Sequence, residues 1–182
     1  MFKYQVAWMR YRAAQIFGEE FEEARKQKKI ESPSRNNMEK VFTDYGKRTF
    51  FGGADLENAE LANKRLEAVN FKKSNLHGAN LENSNLRFSN FTNADLGESD
   101  LNLSDLECAD PHEANLIGAD LSASNLKWAD LRRANLKYAD LTDADMEHAL
   151  CNQAKFVNAI YNDNTILPFP RQMALKKGMV KI

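Results

Sequence analysis

ANLIGADLSASNLKWADLRRANLKYADLTDADM, residues 114–146, carries the reading that decides the fold. A large apolar residue returns every five positions, from Leu116 through Leu121, Leu126, Leu131, Leu136 and Leu141 to Met146. The same phase runs back through Leu106, Leu101, Leu96, Phe91, Leu86, Leu81, Leu76, Phe71, Leu66 and Leu61 to Leu56. Of these 19 positions, 18 are large and apolar, and Pro111 is the exception. Two places earlier sits Ala or Ser, with Lys64 and Val69 as departures; one place earlier sits Asp or Asn, with Glu60 and Arg65 as departures. The unit is Ala/Ser–Asp/Asn–Leu–x–x.

A helix would rotate successive Leu by about 140° and smear them around its axis. A long strand would send them alternately to opposite faces, because five is odd. The set is buried together only if each unit is a short extended piece followed by a corner. Leu and the small residue then share the inner face, and Asp/Asn points out. A second period counts the sides. Phe51, Phe71 and Phe91 recur every 20 residues, and Glu67, Arg87, Glu107, Lys127 and Glu147 alternate in sign at the same spacing. Four units therefore close one coil, and residues 20 apart stack about 4.8 Å from one another.

The unit resembles the signature of the pentapeptide-repeat family, A(D/N)LXX, over about two-thirds of the chain, and the stretch AIYNDNTILP (159–168) is similar to the ending of many bacterial, notably cyanobacterial, members. The resemblance implies an all-β solenoid: a right-handed quadrilateral β-helix with Leu/Phe and Ala/Ser packed inside. The repeats span close to six coils.

Three regions follow: residues 1–48 as an N-terminal cap of two helices, 49–166 as the repeat body, and 167–182 as a C-terminal cap. Residues 2–29 place Phe2, Val6, Met9, Ala13, Ile16, Phe17 and Phe21 near one helical face. Ser32-Pro33 suits the start of a second helix, with Gly46 as its stop. Pro170 to Lys177 reads as a short helix ended by Gly178. Capped ends imply a monomer, since bare sheet edges invite association. Pro111 lacks a backbone donor and marks an expected weak point or bend. Lys64 falls at an inward position, so either its head escapes or the first coil is irregular.

Composition narrows the function. The net charge is -1, but residues 49–166 hold 10 Lys/Arg against 19 Asp/Glu, whereas 1–48 hold 11 against 7 and 167–182 hold 4 against none. No apolar run approaches the roughly 20 residues of a membrane span. Two cysteines, Cys108 and Cys151, are too few to staple a core and point to a reducing, cytoplasmic compartment. The first 18 residues lack acids, which leaves membrane-surface attachment through the first helix as a minor alternative.

Two sides carry candidate sites. One bears Glu60, Glu82, Asp100, Asp120, Asp140, Asp143 and Asp163 and no Lys or Arg. By the family resemblance this is a candidate DNA-mimic stripe, since some members bind gyrase with an acidic surface that imitates duplex DNA. The plainer reading is that Asp before Leu belongs to the repeat and bonds nearby backbone. The next side has a corner column of Ala68, Phe88, Cys108, Trp128 and His148, expected to point outward beside the Arg87 and Lys127 charge ladder. Trp is an uncommon choice at a tolerant position and is enriched in binding hot spots, so this column is the candidate protein-binding patch. A third side holds Lys72, Lys73, Arg132 and Arg133, interrupted by Asp110, Glu113 and Asp130, too thin a basic footprint for nucleic acid. Cys108, His112 and His148 are too far apart on the coils to share a metal ion. A rod filled with side chains offers no pocket for a substrate, so neither catalysis nor a cofactor is expected. The sequence reads as a rigid, non-catalytic scaffold that binds a protein whose identity it does not name.

Overall fold

Each unit turns its corner at the two residues after Leu. The Leu carbonyl accepts the N–H of the small residue three places on, as from Ala54 to Phe51 at 2.9 Å and from Ala109 to Leu106 at 2.9 Å. The second corner residue is left-handed throughout. Nineteen non-glycine residues, from Asn58 to Asn158, have φ between 51° and 62°, and Gly53, Gly78 and Gly118 fill the same register. A positive φ there suits the third position of a type II turn. It costs a non-glycine residue roughly 1–2 kcal/mol, and burial of the unit's Leu returns about 1.5–3 kcal/mol. The corner is therefore sustained by the core beneath it.

The polar positions complete the turn. Asp or Asn accepts the N–H two residues ahead, as Asp100 does from Asn102 at 2.9 Å and Asn90 from Thr92 at 2.9 Å. The inward Ser hydroxyls are buried yet satisfied: Ser84 donates to the Leu81 carbonyl at 2.6 Å and Ser104 to Leu101 at 2.7 Å. This explains the alphabet of the repeat. Ala or Ser fits beside the opposite wall, Asp or Asn ties the corner, and Leu fills the centre.

The computed structural model describes residues 51–182. The helices expected within 1–48 lie outside the described residues. Parallel bridges join residues 20 apart, including Asp55 to Asn75, Asp100 to Asp120 and Asn135 to Lys155. Four units thus make one coil, and the body is a four-sided β-solenoid. The Phe column is a stack within it: Phe51 to Phe71 has ring centroids 5.3 Å apart at 11°, and Phe71 to Phe91 has 5.0 Å at 6°.

Both irregular residues are accommodated locally. Lys64 is exposed, and Arg65 still bridges Asn85, so the side chain escapes and the coil stays regular. Pro111 is buried in the Leu series. Bridges join Asn90 to Asp110 and Asp130 to Leu150, but none joins Asp110 to Asp130 among the described residues. The missing donor costs that one rung. The turn survives, with Ala114 donating to the Pro111 carbonyl at 3.1 Å.

The C-terminal end is closed by three elements: β1 (Ile160–Tyr161), α1 (Arg171–Lys176) and β2 (Val180–Lys181). Past β1 the register slips by one residue, so that Asp145 bridges Ile166. Thr165 takes over the inward hydroxyl role, donating to the Leu141 carbonyl at 2.9 Å. Pro170 caps α1 and Gly178, at φ 77°, follows its end, as the sequence implied. The chain then returns to phase. β2 pairs in parallel with β1, Ile160 with Val180, restoring the 20-residue spacing. Beneath α1, Ala174 and Met179 are buried, Phe169 meets Phe156 edge-on at 5.8 Å, and Lys177 lies 5.5 Å over the Phe156 ring. Cys151 packs against the same core, and burial pushes its thiol up to about 12.

Candidate protein-binding faces

The repeat fixes three of every five residues, so the sides differ only in what remains. On the side built on Leu66, Leu86, Leu106, Leu126 and Met146, the charge ladder forms as its sign alternation implied. Arg87 pairs with Glu107 and lies 3.4 Å from Asp105; Lys127 lies 2.9 Å from Asp145 and 3.8 Å from Glu147. The hydrogen bond from Glu107 holds the Arg87 guanidinium above its ordinary range, and that from Asp145 does the same for Lys127. Each cation faces an outward acid of the next coil and the acid of the repeat itself.

The corner column runs beside this ladder. Trp128 and His148 stack with centroids 4.1 Å apart at 28°, and the Arg87 guanidinium lies 5.4 Å over the Phe88 ring. His148 is exposed, while Phe88 and Trp128 are half-buried. Cys108 departs from the expected outward placement: it is 4% exposed. Its corner is one rung from Phe88 and one from Trp128, and a small thiol between two large aromatic residues is sheltered from solvent. Sequence position alone could not reveal this, because every corner residue has the same backbone.

On the side built on Leu61, Leu81, Leu101, Leu121 and Leu141, the acids behave differently. Asp100, Asp120 and Asp140 are bridged in succession. Each accepts the N–H of its own turn, at 2.9, 2.9 and 2.8 Å, and Asp120 also accepts the Ser122 hydroxyl. On other sides, amides separate the carboxylates: Asn115 donates to Asp95 at 2.8 Å and Asn125 to Asp105 at 3.0 Å. Asn80 does so for Glu60 at 3.1 Å, and Glu82 follows it in the turn. Asp143 accepts from Asn162 and Asn164, which hold its carboxyl below the usual range. Asp163 is drawn out of the stripe. Lys181 at 2.7 Å and Arg171 at 2.6 Å clasp it, Lys181 contributing most to holding its carboxyl low. Sequence counting placed no cation on this side because both come from the cap that folds back over it.

The third side pairs internally: Arg132 forks onto Asp130 at 2.8 and 2.6 Å, and Arg133 meets Glu113 at 2.7 Å. Lys72 and Lys73 are exposed. Among the described residues, no group of three or more His, Cys, Asp or Glu gathers to hold a metal ion. No described helix is long and apolar enough to cross a membrane.

The pattern of pentapeptide repeats matches the chain in eight copies over residues 51–87, 84–122, 112–147 and 124–160. The chain belongs to the pentapeptide-repeat family, whose fold is the right-handed quadrilateral β-helix. A pentapeptide repeat protein, Rfr23, from the cyanobacterium Cyanothece 51142 is similar in structure, with 28% identity, a TM-score of 0.58, and coverage of 72% of this chain and 97% of that one. HetL, a pentapeptide repeat protein involved in heterocyst differentiation regulation from the cyanobacterium Nostoc sp. strain PCC 7120, is 32% identical over 59% of each chain, with a TM-score of 0.41. No curated protein matches.

Proposed function

We propose that the repeat body is a rigid, non-catalytic module that binds a protein through the Phe88, Trp128 and His148 column, with Arg87 and Lys127 fixing register. The observation that supports this is the stack of Trp128 on His148 beside a ladder whose cations are already held by pairing. An aromatic anchor framed by oriented charges is the composition of an interface hot spot. Cys108 serves as the spacer that keeps the two aromatic rungs apart.

The test is affinity purification from the native source with mass spectrometry, comparing wild type with Phe88→Ser/Trp128→Ser. A partner recovered by wild type and lost by the double variant is the expected result. Equal recovery by both rejects this face.

A second reading is mimicry of DNA toward a topoisomerase, favoured by the three successive carboxylates Asp100, Asp120 and Asp140. It predicts inhibition of gyrase supercoiling at micromolar protein, abolished by Asp100→Asn/Asp120→Asn/Asp140→Asn. The absence of inhibition by wild type removes it.

A further inference from the structure

The C-terminal tip concentrates two properties that the body keeps apart. Of the ten large hydrophobic residues exposed among those described, seven lie at 150–182: Leu150, Val157, Ile166, Met173, Leu175, Val180 and Ile182. Leu175 and Ile182, at 65% and 67%, are the most exposed of all. The same end carries Arg171, Lys176, Lys177 and Lys181, and residues 167–182 contain no acid. Asp163 reaches this end from the body and offsets one of the four cations. The column that reads Asp100, Asp120, Asp140 along the rod ends in Ile160 and Val180, so the side turns from acidic to aliphatic where the coils stop.

We infer that this tip docks end-on against an anionic lipid surface, with Leu175, Val180 and Ile182 entering the headgroup boundary and Lys176 facing the phosphates. Aliphatic side chains mixed with Lys and Arg are the composition of interfacial anchors. A second copy seated on the same end would bring like charges together. The acidic body favours the end-on pose, because its sides are repelled by anionic lipid while the tip is drawn to it. Once the tip is seated, coils stacked about 4.8 Å apart carry most of the body beyond the roughly 8 Å screening length of physiological salt. This surface shares no residue with the aromatic column.

The test is co-sedimentation of the full chain with vesicles of seven parts phosphatidylcholine to three parts phosphatidylglycerol, against vesicles of phosphatidylcholine alone. Wild type is expected to pellet with the anionic vesicles and to be released by high salt. Leu175→Ser/Ile182→Ser is expected to weaken this by about tenfold or more, and Lys176→Glu to weaken it while leaving the thermal melt unchanged. Phe88→Ser/Trp128→Ser should pellet like wild type, which separates this result from the protein-binding face. The inference is overturned if wild type stays in the supernatant, if it pellets equally with both vesicles, or if the tip variants pellet unchanged. A dimer in sedimentation velocity that Leu175→Ser/Ile182→Ser dissolves assigns the tip to a second copy and also overturns it.

Discussion

The Leu61 side and the Leu66 side share one backbone, one core and one turn, and they differ in how charge is arranged on top. On the Leu66 side, Arg87 and Lys127 alternate with acids every 20 residues and each is paired. On the Leu61 side, Asp100, Asp120 and Asp140 follow one another with only turn N–H groups and a hydroxyl as donors. A quadrilateral solenoid thus separates stability from recognition: the inward residues make the rod, and each outer column is free to vary.

The largest effect should be blind to this difference. Leu101→Ala and Leu106→Ala remove core residues that are 1% exposed or less and 3% exposed on the two sides. Each should cost about 2–5 kcal/mol, as cavities in packed cores do, and the two costs should agree within their error in chemical denaturation. A large asymmetry would mean that the outer columns contribute to holding the coils together.

Smaller changes on the outer columns should have opposite signs. Arg87→Ala strands Glu107 and Asp105 without their shared cation and should destabilise by at most about 1 kcal/mol, the range for partly exposed pairs. Asp120→Asn should instead stabilise by about 0.2–0.5 kcal/mol. The amide keeps the turn acceptor, supplies a donor to a neighbouring carboxylate as Asn115 does to Asp95, and removes like charge between stacked rungs. Equal signs in thermal melts at low salt would show that the two ladders are electrostatically equivalent.

Most of this architecture is written in the sequence. The five-residue phase sets the inward residues, and the 20-residue phase of Phe51, Phe71 and Phe91 sets the coil, because both are repeated consequences of one local geometry. Features that depend on neighbouring rungs, or on the chain folding back, are less legible. Cys108 is buried by its position between two large rungs, which no property of a lone cysteine reveals. The left-handed corner is invisible in composition, since Trp128, Glu98 and Leu103 adopt it although none prefers it. The return of Val180 to the Ile160 column is hidden by a helix and a one-residue slip.

That return supplies the subtlest way to sharpen the comparison, because it closes the acidic side with cations that the side itself lacks. Arg171 and Lys181 converge on Asp163, whose carboxyl they hold below its ordinary range. A carboxyl depressed in the folded state contributes stability above its unfolded value, near 4, and loses it as pH falls through the lower folded value. The cap should therefore loosen in acid before the body does, and Asp163→Asn should remove that part of the pH dependence while leaving the melt near neutral pH slightly lowered. Amide exchange of Val180 and Ile182, whose N–H groups donate to Ala159 and Tyr161 at 2.8 and 2.9 Å, reports the cap directly. If their protection falls no earlier in acid than that of Leu121 in mid-rod, the clasp on Asp163 does not hold the end, and burial of Ala174, Met179 and Phe169 alone closes it.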